Sequence, residues 1–178
     1  MSVAPFENAT VAIYDSPAEL AAALERFRRA GFALDRVSVA SIDGGYGGRA
    51  VTGCYGGSGR VQYWGDLAGF WGELWGMLSG WAFFQFPDIG PVLVAGPLSG
   101  WIVAALKDSS VFGGLDALGA ALHNVGIPRN RITEYEMALK DSKFLLLVHG
   151  ASREVNRARE LLESVCSRRD ANQARGSA

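Results

Sequence analysis

A chain of 178 residues with 17 basic and 18 acidic side chains has room for one ordinary domain, or for a small domain carrying a large insertion. Its net charge of -1 excludes any global attraction to nucleic acid or anionic lipid. Cys54 and Cys166 stand far apart and outside CxxC spacing, which argues against a disulfide scaffold or a zinc site and for a reduced, cytosolic compartment.

The opening MSVAPFENATVAIYDS lacks the basic n-region of a secretory signal, so the first segment is expected in the cytoplasm and the Asn8-Ala9-Thr10 glycosylation pattern carries no weight. Thr10 to Tyr14 is a short β-rich run. Asp15-Ser16-Pro17 then supplies helix-start chemistry, with Ser16 as N-cap and Pro17 at the first helical position. From Pro17 to Ala30 the residues Leu20, Ala23, Leu24 and Phe27 recur at helical spacing, and Gly31 ends the helix. Arg36 to Ile42 alternates as a strand does, so this unit reads βαβ with its two strands parallel in one sheet.

The 23 glycines concentrate between Gly44 and Gly119. Arg49 to Cys54 and Arg60 to Trp64 read either as a hairpin about Tyr55-Gly56-Gly57-Ser58-Gly59 or as a glycine-rich loop. From Leu74 to Leu106 the only ionisable side chain is Asp88, and Pro87-Asp88 divides the apolar stretch into arms at about Leu67 to Phe86 and Ile89 to Leu106. Each arm approaches the roughly 20 residues a helix needs to cross a bilayer, which predicts a helical hairpin. In the first arm Gly65, Gly69, Gly72, Gly76 and Gly80 line one helical face, with Trp64, Trp71, Trp75 and Trp81 mostly on others. Gly90, Gly96 and Gly100 give small contact points in the second arm, next to Trp101, while Pro91 and Pro97 should kink it. Val111 to Val125 repeats Leu115, Leu118, Leu122 and Val125 as a further amphipathic element.

Ile127-Pro128 opens a helix to about Lys140, with Ile132, Tyr135 and Leu139 on one side. Lys143 to His149 is nearly continuous in apolar residues, the pattern of a central strand covered on both faces. Ser152 to about Ser164 is an amphipathic helix, and a polar, disordered tail is expected beyond. The fold class expected is α+β: a split ferredoxin-like βαβ…αβα sandwich interrupted by a hydrophobic helical hairpin. The sheet domain takes residues 9–43 and 127–166; 44–64 is a glycine-rich connector, 65–126 the inserted glycine-zipper hairpin with its amphipathic helix, and 167–178 the tail.

The order VAIYDSPAELAAALERFRRAGF, VSVAS, PDIGPVLVAGPL, LHNVGIPRNRITEYEMALK and KFLLLVHG resembles the heat-induced general stress protein family over roughly residues 9 to 165. The most specific stretches are Ile89 to Leu98 and Gly126 to His149. The resemblance implies a bacterial or archaeal, stress-associated, membrane-protein-like domain without established catalytic activity or cofactor. The tryptophans and phenylalanines of Trp64 to Phe86 depart from the family's zipper of alanine and glycine.

Residues Asp43 to Ala50 contain GxGxxA, but Val51-Thr52-Gly53-Cys54 looks extended where a phosphate-binding helix should start, so a connector is the better reading. His123 and His149 lack neighbours at metal-ligand spacing and read as structural, although His149, at a strand end, can titrate near neutral pH. Glu73 is either an interfacial residue beside Asp66 or one member of a polar ring in a homo-oligomer. Arg153, Arg157 and Arg159, with Arg168 and Arg169, make a modest basic surface. No catalytic constellation can be assembled, so a non-enzymatic protein is expected, without cofactor, metal, nucleic acid or small-molecule ligand. The function expected is membrane association and self-assembly through Gly65, Gly69, Gly72, Gly76, Gly80, Trp71, Trp75, Trp81, Gly90, Gly96, Gly100 and Trp101, at the inner membrane or its cytoplasmic face. The alternatives are a soluble ring, filament or shell with the hairpins buried between copies, or a small-ligand sensor.

Overall fold

A computed structural model describes residues 3–5, 8–42, 77–78, 81–86, 88–107 and 117–175. The elements in chain order are β1 (Val3–Pro5), β2 (Ala9–Tyr14), α1 (Pro17–Arg29), a 3-10 turn at Leu34–Arg36, β3 (Val37–Ile42), β4 (Trp81–Phe86) and β5 (Gly90–Ala95). There follow α2 (Leu98–Lys107), α3 (Ala117–Asn124), α4 (Arg129–Lys140), β6 (Phe144–His149) and α5 (Ser152–Arg175).

Helix α1 starts as its sequence dictates, with the Ser16 hydroxyl accepting from the Glu19 amide at 3.3 Å and Pro17 in the first turn. It ends at Gly31, where the Phe32 amide bonds back to the Phe27 carbonyl at 2.9 Å and the two rings pack at 5.0 Å. The strands form a mixed α+β domain's six-stranded sheet in the order β1-β2-β6-β3-β5-β4, each neighbouring pair antiparallel. β2 and β3 are therefore parallel, with β6 between them. The apolar run of β6 has the central place that its composition indicates, buried from Phe144 through Val148.

Strand alternation divides the core in two. Leu145 and Leu147 of β6, Val92 and Val94 of β5 and Val11 of β2 face one side, where they meet Leu98 and Ile102 of α2, Leu118 and Leu122 of α3, and Ile132, Tyr135 and Leu139 of α4. Leu146 and Val148 of β6, Leu93 of β5 and Val37 and Val39 of β3 face the other, against Leu20, Leu24 and Phe27 of α1 and Ala158 and Leu162 of α5. Helices thus cover both faces. Each large apolar side chain so buried contributes about 1.5–3 kcal/mol.

This arrangement corrects the expected helical hairpin. Trp81–Phe86 and Gly90–Ala95 are two strands paired antiparallel, Phe86 opposite Gly90, with Asp88 and Ile89 in a turn where two helices were expected to join. Phe84, Phe86, Ile89, Val92, Leu93 and Val94 are buried within this single chain. The apolar segment therefore does not stand apart over its described part. β5 pairs with β3, and α2 and α3 cover the face that β5 extends. The physical reason is that a strand covered on both faces and a buried helix are both uniformly apolar, so composition alone does not separate them.

Three smaller differences follow the same logic. α5 continues to Arg175, through a stretch expected to be disordered, because Ser167 to Arg175 holds no glycine or proline and several good helix formers. The element expected over Val111 to Val125 is helical at Ala117–Asn124; residues 111–116 lie outside the described ones. β1 extends the sheet beyond β2 and was not anticipated.

Candidate functional site

The antiparallel register brings Ala9, His149, Val37, Ala95 and Trp81 to one end of the sheet, where β2, β3 and β4 begin and β5 and β6 end. α1 finishes at this end, and α2 and α5 start there.

Ser38 is buried on β3 and its hydroxyl accepts from the Leu98 amide at 3.0 Å, which caps the first turn of α2 across 60 residues of sequence. Gly96 makes that approach possible. A side chain there would run into the Val37 carbonyl oxygen and stand 2.8 Å from Ser38 Cα. With α2 so placed, the Trp101 ring meets the His149 ring edge to face, at 4.5 Å between centroids and 87° between planes.

His149 Nδ1 lies 3.0 Å from the Arg36 carbonyl oxygen. A carbonyl only accepts, so Nδ1 carries the proton and donates, leaving Nε2 as an acceptor. Burial pushes the His149 imidazolium below the usual histidine range, while the hydrogen bond to Arg36 opposes that shift. His149 lines a shallow cleft of about 220 Å³ with Asn8, Asn124, Val125 and Gly150. Beside it Arg36 forms an ion pair with Glu154, which also accepts from the Ala151 amide at the start of α5.

A second groove, about 630 Å³, lies at the other end of β2 and β6, between α4 and Asp15, Ile13 and Lys143. Lys143 bridges to Asp15 at 3.1 Å, and the exposed Met137 forms part of its wall.

Of the residues expected at a self-association surface, Gly65, Gly69, Gly72, Gly76, Gly80, Trp71 and Trp75 lie outside the described residues, as do Glu73 and the GxGxxA stretch of Asp43 to Ala50. Trp81, Gly96 and Trp101 converge on the His149 end, whereas Gly90 begins β5 at the opposite end and Gly100 is exposed on α2. They form no zipper face. Gly96 instead fits one strand under another, and Gly90 takes a φ of +101° at the hairpin turn. His123 bonds through Nδ1 to the Ile127 carbonyl at 3.2 Å. Among the described residues, no group of three His, Cys, Asp or Glu side chains is arranged to hold a metal ion. The pairing of His149 with Trp101 carries no local sequence signal, because 48 positions and the helices α3 and α4 separate them.

No family model, curated protein or solved structure matches this chain.

Proposed function

We propose that this chain is a non-catalytic, stress-associated structural protein that assembles with copies of itself along the open edge of its sheet. The observation that carries this reading is the composition of β4. It closes the sheet among the described residues, and its sequence WAFFQF contains no charge, proline or glycine. Edge strands of that kind, lacking the charges and breaks that blunt edges, are templates for pairing with another chain. The stress association rests on the family resemblance of Ile89 to Leu98 and Gly126 to His149. The finer fold reading, a split ferredoxin-like arrangement, draws support from the β2-α1-β3 unit, whose parallel strands admit β6 between them.

Spanning the membrane now has less support than assembly does. Among the described residues no helix is long and apolar enough to cross a membrane. Once Trp81–Phe86 and Gly90–Ala95 belong to the sheet, the apolar sequence before them, Leu67 to Gly80, holds 14 residues, short of the roughly 20 a spanning helix needs. Contact with a bilayer is therefore peripheral in this reading, at its cytoplasmic face.

Sedimentation velocity of the full chain tests the assembly. The wild type is expected well above the 19.0 kDa of one copy, and Phe83→Lys, which places a charge in the edge strand, should reduce the particle toward a single copy. A wild type that sediments as one copy at all concentrations overturns the reading.

A further inference from the structure

Three segments wall the cleft beside His149, and each is held by hydrogen bonds of its own. Asn8, just ahead of β2, accepts through its carbonyl from the Gly150 amide at 3.1 Å. Asn124 ends α3, and that end is closed by the Gly126 amide donating to the His123 carbonyl at 2.9 Å and the Ile127 amide donating to the Leu122 carbonyl at 3.1 Å. The imidazole is fixed by the Arg36 carbonyl at Nδ1 and by the Trp101 ring packed against it. Walls fixed in this way by the rest of the fold lose little freedom when a ligand arrives.

The polar groups left over in the cleft are few and of one kind. His149 Nε2 has no partner among the described residues, so its lone pair is the acceptor that the ring offers. The carboxamides of Asn8 and Asn124 are likewise unpartnered among the described residues, and each presents an N–H donor beside a carbonyl acceptor. Val125 supplies an apolar wall. With the imidazole neutral, no side chain lining the cleft is charged, and Arg36 next to Gly150 is already paired with Glu154. An anion would find no free cation here, and an amine no free carboxylate. The cleft's 220 Å³ equals the volume of about seven waters, room for a single six-membered ring with its exocyclic oxygens and too little for a nucleotide.

We infer that this cleft binds a small, neutral, planar ligand carrying a ring amide, whose N–H donates to His149 Nε2 and whose neighbouring carbonyl accepts from an asparagine carboxamide. An acceptor set beside a carboxamide matches the N–H and carbonyl that alternate along the edge of a pyrimidine base, and a few convergent polar groups against an apolar wall are the usual make-up of a small-molecule site. The cleft takes no residue from β4, so the inference goes beyond assembly and stands apart from it.

Saturation-transfer NMR of the full chain with uracil as the probe tests it, because the method reads the ligand at any particle size. Uracil should bind with a Kd of about 1 mM, as suits a ligand of one ring in an open cleft. Uracil methylated on both ring nitrogens, which keeps the carbonyls without an N–H, and pyrimidine, a smaller ring with neither, should each bind about tenfold more weakly. His149→Phe keeps a ring against Trp101 but removes the acceptor and should weaken uracil about tenfold; Asn124→Ala, at an exposed side chain, should weaken it about fivefold. Asn130→Ala removes a matched exposed carboxamide from the other groove and should leave uracil binding unchanged. Absence of transfer to uracil at millimolar concentration overturns the inference, as does equal binding of either comparison ring, wild-type binding by Asn124→Ala, or an equal loss in Asn130→Ala. Phe83→Lys should bind uracil as the wild type does, so failure of the β4 reading and failure of this one are told apart.

Discussion

Replacing Gly96 with alanine should be among the most damaging single-methyl changes available to this protein. Gly96 has a φ of +91°, and its missing Cβ would collide with the Val37 carbonyl and the Ser38 backbone. The conformational part, an L side chain at positive φ, costs about 1–2 kcal/mol. The steric part adds about 1–3 kcal/mol, because the obstacle is strand backbone that cannot rotate away. Shifting β3 to make room also threatens the bond from the Leu98 amide to Ser38. The expected total is about 2–5 kcal/mol, a large fraction of the 5–15 kcal/mol that typically holds a domain together. Gly126→Ala is the internal control, since its φ of +97° is nearly the same while nothing lies within 4 Å of the added carbon. It should lose only the conformational part. Urea unfolding of both variants beside the wild type measures the difference. Equal losses, within about 0.5 kcal/mol, would refute the close approach of β5 to β3 and with it the placement of α2.

Ile102→Ala separates a hairpin packed in the domain's own core from one directed at lipid or at other copies. Ile102 is fully buried among residues of the sheet and helices, so truncation should destabilise the chain by about 2–5 kcal/mol in urea, whatever its assembly state, and an unchanged midpoint would contradict the core described here. His149 gives a pH dependence of definite sign. Its folded pKa lies below the usual 6.5, so between the two values the unfolded chain binds a proton that the fold does not. Stability should fall as pH drops through 6.5 and stop falling below the folded value. His149→Gln should flatten that part of the curve, and an identical slope in wild type and variant would show that the ring is not held neutral.

Much of the sheet domain was legible because its signals are local. Ser16 and Pro17 start α1 through hydrogen bonds made within one turn, and the Phe32 amide closes it five residues past Phe27. Gly126 ahead of Pro128 separates α3 from α4 in the same way. β6 announced its central position by an apolar run that only two covered faces can satisfy. The hairpin of β4 and β5 was not read, although Gly90-Pro91 and Gly96-Pro97 bracket β5 with breakers that suit a short strand better than a long helix. The decisive fact was elsewhere: β3 had a free edge toward which Val92 to Ala95 could pair, and that edge exists only once β6 has inserted on its other side.

The candidate site divides along the same line. His149 was visible as a titratable group at a strand end, and the arginines of α5 as a basic stripe. Nothing near either residue in sequence pointed to Trp101 or to the last turn of α1. Sequence alone determined the helix caps, the periodicities and the charge inventory, since each depends on neighbours within about four residues along the chain. Tertiary structure alone decided that the described part of the oily middle, Phe84 to Ile102, packs into a core of its own domain, and that the Arg157 side chain of α5 meets the end of α1. Burial and electrostatic proximity depend on which segments cross in space, and strand pairing between residues 50 to 140 positions apart fixes that here.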